Sequence, residues 1–64
     1  MLREARESVG LTQEELAARL SRRQSFVSKV ESGERRLDLV ELNEVCRALG
    51  VPLADLVARW EASA

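Results

Sequence analysis

The side chains best suited to chemistry lie in one segment, RLSRRQSFVSKVESGERR, from Arg19 to Arg36. It contains six of the ten basic residues and only two acidic ones, so it carries +4 while the other 46 residues carry −5. The net charge of −1 therefore hides a strongly polarised chain. A local positive field of this kind favours an anionic partner.

Apolar residues recur at helical spacing inside this segment and predict a helix from Gln24 to Glu31. Its inward residues are Phe26, Val27 and Val30, and we interpret Phe26 as core or core edge. Its outward residues are Gln24, Ser25, Ser28 and Lys29. These side chains carry donors and acceptors that match base edges, since glutamine fits adenine, lysine fits guanine and serine adapts to either.

Other kinds of chemistry find little support. Histidine and tyrosine are absent and Cys46 is the single cysteine, which argues against acid–base catalysis, a zinc site and a disulfide. We expect no enzyme activity and no cofactor. No apolar run approaches the roughly 18 residues of a membrane span, and the N-terminus lacks the apolar centre of a signal peptide, so a cytoplasmic protein without a membrane partner is expected.

Five short helices are predicted to position the basic segment within one all-α domain over residues 1–64. Glycine, proline and two capping boxes, Thr12 with Glu15 and Asp38 with Glu41, mark their ends. The predicted ranges are 2–9, 13–20, 24–31, 39–49 and a fifth helix from Leu53. The inward face of the fourth helix is predicted to be Leu39, Leu42, Val45, Cys46 and Leu49.

The second and third predicted helices, joined by a turn of about three residues, have the spacing of a helix-turn-helix. The stretches LTQEELA, VSKVESG and ALGV, with the Ser28, Glu31 and Gly33 pattern, strongly resemble the Cro/repressor-type, or Xre-like, helix-turn-helix family. The resemblance covers residues 3 to about 57. It implies a compact five-helix domain of the lambda-repressor-like DNA-binding type, whose third helix lies in the major groove of double-stranded DNA.

The resemblance also implies roles for individual residues. The expected base-reading residues are Arg23, Gln24, Ser25, Ser28 and Lys29, and Arg23 is close enough to reach either a base or a phosphate. The expected phosphate-binding residues are Thr12, Gln13, Arg22, Arg35 and Arg36. Of these, Arg35 and Arg36 match a family loop that grips the DNA backbone, whereas Thr12 and Gln13 are expected to bind phosphate because the free amides and positive dipole end of the second helix attract anions. In the family, the position of Gln13 braces that of Gln24, and the positions of Arg6 and Glu31 form an ion pair across the domain.

The turn at Ser21, Arg22 and Arg23 departs from the family, which commonly has glycine, an aliphatic residue and serine or threonine there. The turn thereby loses a core contact and a helix cap, so we expect it to be less rigid. For the same reason, a shift of one residue in the start of the third helix is an open alternative.

One short helix makes few base contacts, so we expect a homodimer on a palindromic operator, acting as a transcriptional regulator and more specifically as a repressor. The candidate dimer interface is the fifth helix, through Leu53, Leu56, Val57 and Trp60, although Trp60 also suits a cap over the core. The alternative is a protein-interaction module, such as an antitoxin or an oligomerisation domain of a larger protein.

Overall fold

The computed structural model describes residues 2–63, with the side chains of Trp60 and Ser63 outside that description. It contains five α-helices joined by tight turns, and no strand occurs within the described range. The helices are α1 (Leu2–Ser8), α2 (Gln13–Leu20), α3 (Gln24–Ser32), α4 (Leu39–Leu49) and α5 (Leu53–Ser63). The predicted all-α, five-helix architecture is confirmed, with helix ends within one residue of the prediction for α1 to α4.

Both predicted capping boxes form and determine where α2 and α4 begin. The Thr12 hydroxyl accepts from the Glu15 amide at 3.1 Å, and the Asp38 carboxylate accepts from the Glu41 amide at 2.7 Å. Each glutamate in turn accepts from the amide of its capping residue. These reciprocal bonds satisfy donors that would otherwise lack partners in the first turn of a helix.

A single apolar core lies between the helices, and α2 packs closely on both α3 and α4. Its buried apolar residues are Leu2, Ala5, Leu16, Ala17, Val27, Val45, Cys46, Leu49 and Leu56. Burial raises the pKa of the Cys46 thiol, which disfavours the reactive thiolate. Cys46 therefore serves as a small apolar core residue, as its place in the apolar stripe predicted.

The predicted inward position of Leu39 is wrong. Leu39 is 71% exposed and its neighbour Val40 is 69% exposed. Leu39 is the first residue of α4, and Cα–Cβ bonds tilt toward the N-terminus of a helix. Its side chain therefore projects past the start of α4 instead of into the core, and the two residues form an exposed apolar pair.

Candidate nucleic-acid interface

The turn between α2 and α3 closes through backbone hydrogen bonds. Ser21 adopts the left-handed conformation, with φ 55° and ψ 39°, and its amide donates to the carbonyl of Ala18 at 3.1 Å. The Arg22 amide donates to the carbonyl of Ala17 at 2.9 Å, which completes the end of α2. Helix α3 begins at Gln24 as predicted, so the unusual turn residues do not shift its start.

Helix α3 presents a polar face beside this turn. The five expected base-reading residues, Arg23, Gln24, Ser25, Ser28 and Lys29, are all exposed, whereas Val27 is buried in the core. Within residues 2–63, the side chains of Arg23, Ser25, Ser28 and Lys29 form no hydrogen bond or ion pair. Their donors and acceptors are therefore available to an external partner.

Gln24 differs from its neighbours because a relay of hydrogen bonds holds its amide. Arg6 donates from Nε to Glu31 Oε2 at 2.7 Å and from Nη2 to Glu31 Oε1 at 3.1 Å. Gln13 Nε2 then donates to Glu31 Oε1 at 3.0 Å, and Gln24 Nε2 donates to Gln13 Oε1 at 3.3 Å. This direction of donation leaves Gln24 Oε1 and its second amide hydrogen available to an external partner.

The ion pair at the base of the relay is largely shielded from solvent. The side chains of Arg6 and Glu31 are 11% and 5% exposed, and Arg6 Nη1 also donates to the carbonyl of Leu11 at 2.8 Å. Burial raises the pKa of Glu31, but hydrogen bonds from Arg6 and Gln13, together with the charge of Arg6, outweigh it and leave the pKa below the ordinary 4.5. Glu31 is thus ionised at neutral pH and organises Gln13. The bond from Gln13 to Glu31 was missed by sequence reasoning, because the spacing of 18 residues carries no local signal.

The start of α2 is less favourable for phosphate than predicted. Thr12 is exposed, but its amide already donates to Glu15 Oε1 at 2.9 Å. The amides of Gln13 and Glu14 remain in the first turn, where the helix dipole attracts anions. Glu14 and Glu15 place two negative charges in the same turn. The favourable dipole is therefore partly opposed.

Two of the three expected phosphate-binding arginines have protein partners. Arg22 and Arg35 both reach Glu41, from Nη2 to Oε2, at 3.4 Å and 2.7 Å. Both guanidinium groups also stack against the ring of Phe26, with Cζ at 4.5 Å and 4.6 Å from its centroid. Arg36 is exposed and has no ion pair among the described residues. The arginine Arg19 instead donates to the carbonyl of Ala48 at 2.9 Å and links α2 to α4.

Phe26 is half-buried at the edge of the core, as predicted, and also forms the surface on which the two arginines lie. The role of Glu41 was not predicted beyond its capping box. Hydrogen bonds from Arg35 and from the Asp38 amide lower the pKa of Glu41, so it too is ionised at neutral pH. No sequence spacing identifies this carboxylate as the partner of two arginines from different elements.

The candidate dimer surface on α5 requires a correction. Leu56 is 1% exposed and belongs to the core, so it has no area left for a partner. Leu53 and Val57 are half-buried and keep some exposed area. The side chain of Trp60 lies outside the described residues. Within the described range, the largest exposed apolar side chains are instead Leu39 and Val40 of α4.

Two features are absent from the described part of the chain. Its helices are all too short or too polar to cross a membrane. Its cysteine, aspartate and glutamate side chains nowhere form a group of three that could hold a metal ion.

A family model described as helix-turn-helix matches residues 2–56. An uncharacterised HTH-type transcriptional regulator of Sinorhizobium fredii, y4dJ, is 42% identical over 52 residues, which cover 81% of this chain and 68% of that protein. An XRE-family like protein from Pseudomonas syringae has a similar structure, with a TM-score of 0.83, 53% identity and coverage of 97% of this chain and 78% of that one.

The restriction-modification controller protein C.AhdI from Aeromonas hydrophila has a TM-score of 0.78 and 38% identity, over 86% of this chain and 83% of that one.

Proposed function

This chain belongs to the Xre-like helix-turn-helix family of transcriptional regulators, and we propose that it binds double-stranded DNA sequence-specifically, with α3 in the major groove. The observation that carries the proposal is the polar face of α3, whose side chains are exposed and mostly without protein partners. It lies in the segment that carries +4 in a chain of net charge −1. An exposed face with base-matching groups inside the positive segment suits direct readout of DNA.

The contacts divide into two chemical kinds. Gln24, held by Gln13, suits adenine, and Lys29 suits the acceptors of guanine. Arg22, Arg35 and Arg36 flank α3 and suit the phosphate backbone, which provides most of the sequence-independent affinity. This division predicts that the first group controls sequence preference and the second controls salt-dependent affinity.

A titration against mixed-sequence DNA fragments at several salt concentrations tests the proposal. Lys29→Glu should weaken binding about tenfold or more, because it removes a donor and adds repulsion in the groove. Arg47→Glu is the matched control, since it makes the same change of sign on an exposed residue of α4 that lines a surface hollow with Arg19 and Ala48. Equal effects of the two variants, or no binding by the wild type at low salt, would show that α3 does not bind DNA.

Sequence preference requires a second measurement on a site selected from random DNA. Gln24→Ala should cost about 1 to 3 kcal/mol on the selected site and little on random DNA, because one bidentate base contact is lost. An equal loss of affinity on both DNAs would instead show that Gln24 contacts the DNA backbone.

We also propose that the protein acts as a homodimer on a palindromic operator. A single α3 offers too few base contacts for high specificity, and two copies would read half-sites about 34–36 Å apart. The exposed apolar pair of α4, Leu39 and Val40, and the α5 residues Leu53 and Val57 offer surfaces that association would cover.

Sedimentation of variants separates the two surfaces. Leu39→Glu adds a carboxylate to the first turn of α4, where the helix dipole favours it, so the fold of the monomer should be preserved. Val57→Glu makes the same kind of change on α5, where Val57 is half-buried, so circular dichroism must first show that this variant keeps the helical content of the wild type. The variant that shifts the protein to monomer identifies the interface, and a wild type that is monomeric at all concentrations would contradict the homodimer.

We also propose that the protein represses transcription, because a domain bound at a promoter sterically blocks the access of other proteins to it. Transcription in vitro from a promoter that contains the selected site should fall as the protein is added. A rise in transcription would assign the opposite sign.

A further inference from the structure

Four residues form an ordered cluster beside α3, which we call the arginine cluster: Arg22, Phe26, Arg35 and Glu41. Glu41 Oε2 accepts from Arg22 at 3.4 Å and from Arg35 at 2.7 Å, and Glu41 Oε1 accepts from Arg35 Nη1 at 3.3 Å. The Phe26 ring contacts both guanidinium groups. Arginines from the α2–α3 turn and the α3–α4 loop thus meet at one carboxylate of α4 and lie against one ring of α3.

The positive charge of the arginine cluster lies on its solvent-exposed side. The Glu41 side chain is 14% exposed, whereas those of Arg22 and Arg35 are 40% and 38% exposed. Two guanidinium groups against one carboxylate leave a net charge of +1. Each guanidinium carries five N–H donors, and only a minority are used by Glu41. The surface that faces solvent is therefore cationic and retains free donors.

The carboxylate at the centre of the cluster is itself held in place. Glu41 Oε1 accepts from the Asp38 amide at 3.1 Å, and the Glu41 amide donates to Asp38 at 2.7 Å. The capping box of α4 therefore fixes both the backbone and the carboxylate of Glu41. Long arginine side chains that bond to such an anchor and stack on a ring lose much of their rotamer freedom before any ligand arrives.

We propose that Glu41 is a positioning residue for DNA binding, which acts with Phe26 to hold Arg22 and Arg35 as one preorganised surface for backbone phosphates. The inference rests on the proposed DNA-binding function and adds a residue whose own charge opposes DNA. Preordered side chains do not have to be immobilised when DNA binds, and this saving raises affinity. The net effect of Glu41 on affinity is therefore favourable despite its negative charge.

The sign of the effect of Glu41→Gln tests this proposal. Glutamine keeps the capping box, because glutamate and glutamine both serve at that position, but it removes the charge that holds the two arginines. Binding to a mixed-sequence DNA duplex should weaken about three- to tenfold, the effect of releasing one or two long side chains. The plot of log affinity against log salt should also become shallower, because phosphate contacts are lost.

Glu34→Gln is the matched control, since Glu34 is an exposed carboxylate one residue before Arg35 and has no ion pair among the described residues. It should tighten binding slightly through simple charge removal. If Glu41→Gln tightens binding to the same extent, Glu41 only neutralises the arginines and the inference is overturned. If the wild type does not bind the duplex, the proposed function fails and the inference fails with it.

Two further variants guard against a purely structural effect. Phe26→Leu keeps every charge and an apolar side chain but removes the ring, and it should also weaken binding. In a background of Arg22→Ala and Arg35→Ala, Glu41→Gln should no longer weaken binding, because its target side chains are gone. A loss that persists in that background would assign Glu41 to the fold and overturn its positioning role.

Discussion

Replacing Arg23 with serine is expected to change stability and DNA affinity in opposite directions. Arg23 is the N-cap of α3, with φ −77° and ψ 152°, but its side chain forms no cap hydrogen bond. Thr12 shows the alternative in the same fold, because its hydroxyl accepts from the amide three residues on. The backbone at Arg23 is already in the extended conformation that a cap requires.

The expected gain in stability has two sources. The Phe26 amide, three residues on, already donates to the Arg23 carbonyl at 3.0 Å, so a serine hydroxyl would accept from the Ser25 amide and contribute about 0.5 to 1 kcal/mol. Removal of a cation from the positive end of α3 contributes about 0.3 to 1 kcal/mol more. Together these should raise the free energy of unfolding by about 1 to 2 kcal/mol, and the melting temperature by roughly 4–8 °C for each kcal/mol in a domain of this size.

The expected loss is in DNA affinity. The Arg23 side chain is exposed at the start of α3 and has no hydrogen-bond or ion-pair partner among the described residues. If it neutralises one phosphate, Arg23→Ser should reduce the slope of log affinity against log salt by about 0.9. If it contacts a base, the loss should be about 1 to 3 kcal/mol on the selected site alone.

Thermal denaturation and fluorescence anisotropy on one preparation measure both effects. Arg47→Ser is the control, since Arg47 is exposed on α4 and lines a surface hollow with Arg19 and Ala48. A decrease in melting temperature for Arg23→Ser would refute the capping argument. An unchanged affinity and salt slope would show that Arg23 does not contact DNA.

Two other predictions concern the fold itself. Ser21→Gly should raise the free energy of unfolding in urea denaturation by about 0.5 to 1 kcal/mol, because relief of the left-handed strain at φ 55° exceeds the added entropy of the unfolded chain. Ser21→Ala is the control, since it retains the Cβ and should show no such gain. Stability should also fall in acid: the pKa values of Glu31 and Glu41 are lowered in the fold, so the stability they contribute is present above the ordinary 4.5 and lost as the pH drops through their lowered values. With no histidine in the chain, the urea midpoint should be level between about pH 5.5 and 7, and a titration inside that window would contradict this assignment.

Local patterns predicted the fold well because its helices begin and end at local signals. Thr12 and Asp38 start helices through bonds to residues three positions on, and Gly33 ends α3 in the left-handed conformation. These interactions lie within one turn of the chain. The same is true of the polar face of α3, since helical periodicity alone separates Gln24 from Val27.

The errors have a different origin. Leu39 fits the apolar periodicity of α4, but the core does not extend to this first residue of the helix. Periodicity predicts which face of a helix is apolar and does not show where along the helix the core ends. Leu56 was assigned to an interface because its stripe resembles one, although the same stripe is buried within the monomer. An apolar stripe predicts burial without naming the partner.

The turn at residues 21–23 shows how the chain tolerates its departure from the family. Ser21 adopts the conformation that glycine prefers, and Arg23 leaves α3 without a side-chain cap, so both positions lower stability. Arg22 replaces an aliphatic core contact with a stacked position on Phe26 and a bond to Glu41. The stability that the turn loses is therefore partly restored by Glu41 of α4, which also orients Arg22. This turn gains two cations next to α3, and one of them, Arg22, is held by a carboxylate of α4. We therefore expect it to bind DNA more strongly, and to stabilise the fold less, than the glycine-containing turn of the family.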